Sequence, residues 1–296
     1  MRSMSSADGR RSLSVVIPVR DGAATIAEQL EALAGQAADC VEIVVVDNGS
    51  VDETLVVVQK FMDRIPNLRI VDGAGVIGLC NVRSYAAESA VGDLACCDAD
   101  DVVAPGWIRA MSAALDDYDI VGGTIEEGLL NPPGARPRTG QGTDLPMGCG
   151  YLPFATGANC AVRREVIDHL GGWSPRYVRS GEDVDFSWRA QLAGYRIGFA
   201  PAAVVHYRHR RSGSATRRQN IGYGYAHAVL HSDFRSRGLK RGSVLQVLLP
   251  WAKVAARVPI ALVRPERRLG WQAAVGFSWG KVIGMFAERA WPYSCP

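Results

Sequence analysis

The sequence predicts an α/β protein with a mostly parallel central sheet covered by helices on both faces and a helical C-terminal extension. Three observations carry this. Short, near-continuous apolar runs alternate with stretches whose apolar positions recur at helical spacing. The runs are too unbroken for strands wetted on one face, so helices must cover both sides. Several runs also end in Asp-rich turns, at the carboxyl ends of strands where such sheets bind ligands.

The elements follow in order. Residues 13–19 (LSVVIPV) form a β-branched run stopped by Arg20-Asp21-Gly22, and 23–34 (AATIAEQLEALA) take up the helical period. Residues 41–46 (VEIVVV) repeat the strand signal, and Asp47-Asn48-Gly49-Ser50 makes a turn whose Ser50 is expected to cap a helix starting near Asp52. Residues 68–71 (LRIV) give a third strand, 80–90 a helix, and 94–97 (LACC) a strand running into Asp98-Ala99-Asp100-Asp101. A strand is expected at 119–123. Residues 126–150, rich in Gly and Pro, read as a long loop, a mobile lid over the site. Helices at 163–170 and 183–193 and a strand near 195–199 lead to His206. The chain then divides into a flexible N-terminus, 1–12, a main domain, 13–235, and a helical amphipathic extension, 236–296.

Composition limits the function. With 296 residues, 48% of them hydrophobic, the chain can bury a substantial core. Its net charge of +3 gives no general attraction to nucleic acid, and its one basic run lacks interleaved aromatics, so no nucleic-acid partner is expected. Seven cysteines form no C-x-x-C pair and read as reduced thiols. The polar N-terminus precedes an apolar run that stops at Pro18, so a signal peptide would lack its core. The expected location is the cytoplasm, including the inner face of the plasma membrane.

Three groups of acids carry chemistry. Asp47 ends a buried strand, where a nucleobase N–H or a ribose hydroxyl would suit its carboxylate; capping the next helix is the plainer use. Asp98, Asp100 and Asp101 crowd three carboxylates onto one strand end, and a divalent cation relieves their repulsion. Hard carboxylate oxygens suit Mg2+ or Mn2+, which keep positions open for phosphates, although a solvated acidic turn has the same composition. Glu182 and Asp183 open a helix, where acids interact favourably with the dipole whatever else they do.

Taken together, these segments resemble family 2 of the inverting glycosyltransferases, which have the Rossmann-like GT-A fold. SVVIPVRDGAATI, VVVDNGSVDET, VRSYAAESAVGDLACCDADD, GANCAVRREVIDHLGGW and GEDVDFSWRAQLAGYRIGFAPAAVVHY match its motifs in the family's order, over roughly residues 13–207. The resemblance implies transfer of a single hexosyl or deoxyhexosyl unit from a nucleoside-diphosphate sugar to an acceptor hydroxyl, with inversion. It implies that Pro18, Asp21 and Asp47 line the base and ribose pocket, that Arg83 lies close to the donor and that Asp98 contacts the nucleotide sugar. Asp100 would hold the metal, with His206 reaching the metal or the diphosphate. Asp183 would be the general base, supported by Glu182 and Asp101. The helix start Val82-Arg83-Ser84 departs from the family's Ala-Arg-Asn, and Ala86 stands where a Gly is common. The Q-x-x-R-W string of processive polymer synthases is absent.

Two further segments fall outside the motifs. YRHRRSGSATRR places Arg208, Arg210, Arg211, Arg217 and Arg218 around a Ser-Gly centre, expected as a flexible loop that binds phosphate on the donor or on a lipid-diphosphate acceptor. Residues 243–263 and 271–286 are apolar with flanking cations and tryptophans. They suit a peripheral membrane contact, packing on the main domain, or a second subunit in an oligomer. Two other functions fit the acids without the motifs: a nucleotidyltransferase acting on sugar phosphates, and a non-catalytic sugar-nucleotide-binding subunit. The first should carry a Gly-rich phosphate loop after its first strand, where this chain has only Gly22.

Overall fold

The computed structural model describes residues 12–132, 144–240, 244–264 and 267–289. The expected flexible N-terminus, apart from Ser12, and the middle of the expected lid lie outside them. By contacts the chain forms two compact units. The first takes the chain up to Pro146, Pro153–Val178 and Glu182–Arg208; the second takes Met147–Leu152, Arg179–Gly181 and the chain from His209.

In the first unit the elements are β1 (Leu13–Val19), α1 (Ile26–Ala34), β2 (Glu42–Asp47), α2 (Thr54–Met62), β3 (Leu68–Asp72), α3 (Leu79–Ser89) and β4 (Asp93–Cys97). Then come β5 (Val102–Val103), α4 (Trp107–Asp117) and β6 (Ile120–Glu126). A short ribbon of β7 (Met147–Gly148) and β8 (Leu152–Pro153), which except for Pro153 belongs to the second unit, comes next in the chain, and β9 (Asn159–Val162), α5 (Arg164–Leu170), α6 (Glu182–Leu192) and β10 (Ile197–His206) complete the first. The sheet order is β3-β2-β1-β4-β9-β6-β10-β5. Strands β1 to β4 run parallel, as do β6 and β10, while β9 is inserted antiparallel between β4 and β6.

Alternation puts Val15, Ile17, Ile43 and Val45 on one face, packed with Leu30, Val58 and Trp107 from α1, α2 and α4. Val16, Val44, Val46 and Cys96 face the other way, against Val82, Val166 and Phe186 from α3, α5 and α6. Both faces are therefore buried, the condition under which unbroken apolar strands are stable. Pro18 pairs with Val46 in β2, beyond the last residue of β1 that pairs with β4, so its missing N–H costs the centre of the sheet little.

Three local expectations change, and one strand appears that the sequence did not announce. Ser50 does not cap α2, which starts at Thr54; its hydroxyl accepts the Asp21 N–H at 2.9 Å instead. β9 carries no sequence signal, because four residues are too few to show a period. β10 is twice the expected length and continues through a register shift between Ala200 and Val204, where Pro201 sits exposed. The expected flexible loop at 207–218 is helical from Gly213 onward, since α7 (Gly213–Phe234) begins there with the Ser212 hydroxyl capping the Ala215 N–H at 3.1 Å.

The second unit continues with α8 (Val244–Ala256), α9 (Val258–Val263) and α10 (Arg268–Ala287). α7 and α10 pack backbone to backbone, because a Cβ at Gly224 would run into the Phe277 carbonyl and one at Gly280 into that of Ile221. The six described cysteines are free thiols, five of them buried.

Candidate active site

The strand ends build the site in three parts. The first is a cleft of about 330 Å³ at the ends of β1, β2 and β3, lined by Arg20, Asn48, Gly49 and Gly75-Val76-Ile77-Gly78. The loops after β1 and β2 are stitched together beside it. Asp21, in the left-handed region at φ 52°, accepts the Val51 N–H at 2.8 Å and gives its own N–H to Ser50. Asp47 is 6% exposed, and its carboxylate accepts the Ser50 N–H at 3.2 Å. Asp21 and Asp47 thus each adjoin a lining residue, whereas Pro18 is half-buried behind them in β1. Arg20 and Asn48, which the sequence did not single out, line the cleft directly.

The second part is the acidic turn after β4. Asp98, Asp100 and Asp101 each offer an oxygen, and these oxygens lie within 4.8 Å of one another. Three hard carboxylate donors at that spacing fit a divalent cation such as Mg2+ or Mn2+. Neighbouring side chains shape the turn. Gln29, fully buried on α1, donates to the Asp98 carbonyl at 3.1 Å and accepts the Val103 N–H at 2.9 Å, bracing both ends. Arg208 clamps the middle: its N–H donates to Asp101 Oδ1 at 2.8 Å and its Nε to the Asp100 carbonyl at 2.8 Å, while Nη2 reaches Glu28 Oε2 at 2.7 Å. The sequence expected Arg208 to bind phosphate; here its Nε and Nη2 bond to the protein, a bracing role the sequence did not announce. Asp101, 1% exposed, faces this clamp.

His206, the last residue of β10, pairs in register with Val102 just beyond the acidic turn. Its Nδ1 hydrogen-bonds Glu126 Oε2 at 2.7 Å, and this bond holds the Glu126 carboxyl below its ordinary range. A carboxylate on one ring nitrogen fixes the orientation of a histidine and is common behind metal ligands. His206 nevertheless lies outside the close cluster of oxygens. Glu126 had no signal in the sequence. Arg210 and Arg211 are exposed and belong to the second unit.

The third part joins α3 to α6. Arg83 is 2% exposed; its guanidinium bonds Glu182 through Nη1 and lies 3.6 Å from Asp98 Oδ1 through Nη2. Burial works against the charge on Arg83, but Glu182 and Asp98 outweigh it and hold the guanidinium protonated more firmly than usual. Burial raises Glu182 to about 7, with the Asp183 charge adding to the rise and Arg83 opposing it. Asp183, half-buried at the start of α6, points one oxygen at the Gly157 N–H (3.0 Å) and the other at the Val184 N–H (2.9 Å). The acids that the sequence placed at two separate strand and helix ends are therefore linked through one arginine. Asp98, Arg83, Glu182 and Asp183 form a continuous row of ionisable groups.

Comparison with known proteins agrees with this arrangement. The family model described as glycosyl transferase family 2 matches residues 14–171, and one described as glycosyl transferase family group 2 matches residues 142–280. Glycosyltransferase AglE of Haloferax volcanii is 30% identical over 220 residues, which are 72% of each chain. Among solved structures, the mannosyltransferase PcManGT of Pyrobaculum calidifontis, in complex with GDP-Man and Mn2+, superposes with a TM-score of 0.64 at 18% identity, over 94% of this chain and 88% of that one. S. aureus TarS 1–349 in complex with UDP-GlcNAc gives 0.57 at 18% identity, over 94% and 92%. These neighbours share the GT-A fold, and with the family match the nucleotidyltransferase alternative loses its footing. A mostly parallel sheet with an acidic turn at the end of its fourth strand is what the family model spans, and the chain belongs to glycosyl transferase family 2.

Proposed function

We propose that this glycosyltransferase is metal-dependent and inverting, moving a single hexosyl or deoxyhexosyl unit from a nucleoside-diphosphate sugar to an acceptor hydroxyl. The observation that carries the reading is this row of ionisable groups: a half-buried carboxylate, Asp183, next to Glu182, which Arg83 ties to Asp98 of the acidic turn. The neighbours that hold UDP-GlcNAc and GDP-Man support a nucleotide-sugar donor.

In this reading the cleft between Arg20, Asn48 and Gly75–Gly78 takes the nucleoside, with Asp47 and Asp21 at its edge and Pro18 behind them. Asp98 and Asp100 would hold Mg2+ or Mn2+, with Asp101 and Arg208 fixing the turn and His206 beside it. A bound divalent cation supplies charge neutralisation for the leaving diphosphate. Arg83 sets Asp98 toward the donor. Asp183 accepts the acceptor's hydroxyl proton as the new C–O bond forms at the anomeric carbon and the bond to the diphosphate breaks, which inverts the configuration. Backbone N–H bonds to both its oxygens aim the carboxylate before the acceptor arrives.

The acceptor we assign to a lipid-linked or cell-envelope glycan met at a membrane face, with the exposed Arg210 and Arg211 meeting its phosphates. No described helix is long and apolar enough to cross a membrane. α8 and α9 instead expose Leu245, Leu248, Ile260, Leu262 and Val263. Between Phe234 and Ala287 the sequence has ten Lys or Arg and one acid, Glu266, so this stretch carries +9 in a chain of net +3. Exposed apolar side chains in a stretch of strongly positive net charge suit the headgroup region of an anionic bilayer.

A thermal-shift screen tests the donor assignment, using UDP-glucose, UDP-GlcNAc, GDP-mannose and the free diphosphates, each with Mg2+ or Mn2+. A ligand at about a hundred times its Kd adds about 2.7 kcal/mol of stability, a readily measured shift. No shift with any of them would overturn the reading and leave a chain that does not bind nucleotide sugars.

A further inference from the structure

Gly157 lies on the turn leading into β9, where two parts of the site meet. Its N–H donates to Asp183 Oδ2 at 3.0 Å, and a Cβ on its Cα would lie 2.5 Å from both terminal nitrogens of Arg83 and 2.6 Å from Cζ. Carbon atoms do not approach so closely, so one side must give way. Arg83 has little room to do so: it is 2% exposed and sits between Glu182 and Asp98. The turn is equally constrained. Asn159, fully buried, accepts the Trp107 indole N–H at 2.8 Å and donates to the Thr124 and Ala203 carbonyls at 2.8 and 2.9 Å, while its own N–H closes onto the Thr156 carbonyl at 2.8 Å. Close approach of a guanidinium, not a special backbone angle, is what requires glycine here.

We propose that Gly157 is a positioning residue for sugar transfer. Its bare Cα seats the Arg83 guanidinium against Asp98 and Glu182, and its amide aims the Asp183 carboxylate, so one residue sets the donor-side acid and the base in a single geometry. The proposal rests on the reading of Asp183 as the base. A methyl group at 157 displaces either the guanidinium from Asp98 or the amide from Asp183, and misplacement of reacting groups by about 1 Å costs on the order of 100-fold in rate.

The test uses the full chain with Mn2+. It measures nucleoside-diphosphate release from whichever of UDP-glucose, UDP-GlcNAc and GDP-mannose the native chain turns over fastest. Gly157→Ala should lower kcat on the order of 100-fold. In an Arg83→Lys background, where a slender ammonium leaves space for the methyl, adding Gly157→Ala should cost less than threefold, because the clash is gone and the amide remains. A role confined to the shape of the turn would give the same loss in both backgrounds. That equality, or a Gly157→Ala kcat within threefold of native, would overturn the proposal. If Gly157→Ala alone does not fold, the Arg83→Lys pair decides, and a further loss of threefold or more counts against it. Asp183→Asn keeps the two ideas apart: an inactive Asp183→Asn beside a native-like Gly157→Ala removes only the positioning role. Normal turnover by Asp183→Asn, or no turnover by the native chain, removes the base assignment and this proposal together.

Discussion

Arg208 donates its backbone N–H to Asp101 Oδ1 at 2.8 Å, and with its side chain grips the Asp100 carbonyl and Glu28. A basic residue at the end of β10 thereby fixes the shape of an acidic turn more than a hundred positions earlier in the chain. Substituting the side chain should leave the backbone bond but free the turn. Arg208→Ala is expected to weaken Mn2+ binding about tenfold, the lower end for a residue that orients metal ligands. Loss of its charge-assisted bond should also cost about 1.5–3 kcal/mol of stability. Calorimetric titration of Mn2+ in the presence of UDP or GDP measures the first effect; an unchanged Kd would show that the clamp does not shape the turn.

Asp183→Asn keeps the size of the side chain and removes its basicity. Nucleotide binding should stay within threefold of native while transfer falls by about 10²- to 10⁴-fold, the usual contribution of a general base. Nucleotide affinity and donor turnover measured on one preparation separate the two effects. Equal losses in both would mean that Asp183 serves binding and not proton transfer.

Glu182 gives stability a pH dependence of defined sign. Its carboxyl is raised from 4.5 to about 7 in the folded protein. Between those values the folded chain holds a proton that the unfolded chain has released. Unfolding then releases a proton, and stability should fall as pH rises from about 4.5 to about 7. Glu182→Gln removes this titration, so its Tm should fall less steeply across the same window, and the two proteins should differ least at its acid end, where Glu182 is itself neutral. Parallel Tm curves for the two proteins would contradict the raised value.

Membrane contact is best tested without truncation, because α10 packs tightly on α7 and removing it would strip a buried face. Leu262 and Val263 are 70% and 79% exposed, so charges there should leave the fold intact. The native chain is expected to co-sediment with vesicles containing anionic lipid, and Leu262→Glu/Val263→Glu to lose most of that binding with an unchanged Tm. Equal sedimentation of the two would remove α9 from the contact.

Much of the frame was legible in the residues. β1, β2 and β4 are unbroken apolar runs because both faces of the sheet are covered, and their ends show because turns have a local chemistry of Asp, Asn and Gly. The acids of α6 stand out for the same reason, lying at the start of a helical period. Gln29 gave no sign of its task, since a glutamine in the middle of a helix looks solvated until the turn it braces is seen beside it.

The sequence by itself therefore determined the α/β alternation, the order of the acidic strand ends and, through its motifs, the family. Tertiary structure alone decided the rest: the antiparallel insertion of β9, the commitment of Arg208 to Glu28 and the acidic turn, the Arg83 bridge between Asp98 and Glu182, and the exclusion of a side chain at Gly157. The division has a physical cause. Propensity, turn chemistry and apolar period act over a few neighbouring residues, whereas a buried charge takes its partner from whatever the packed sheet brings within hydrogen-bond reach. For Arg208 and Glu28 that partner lies 180 residues away.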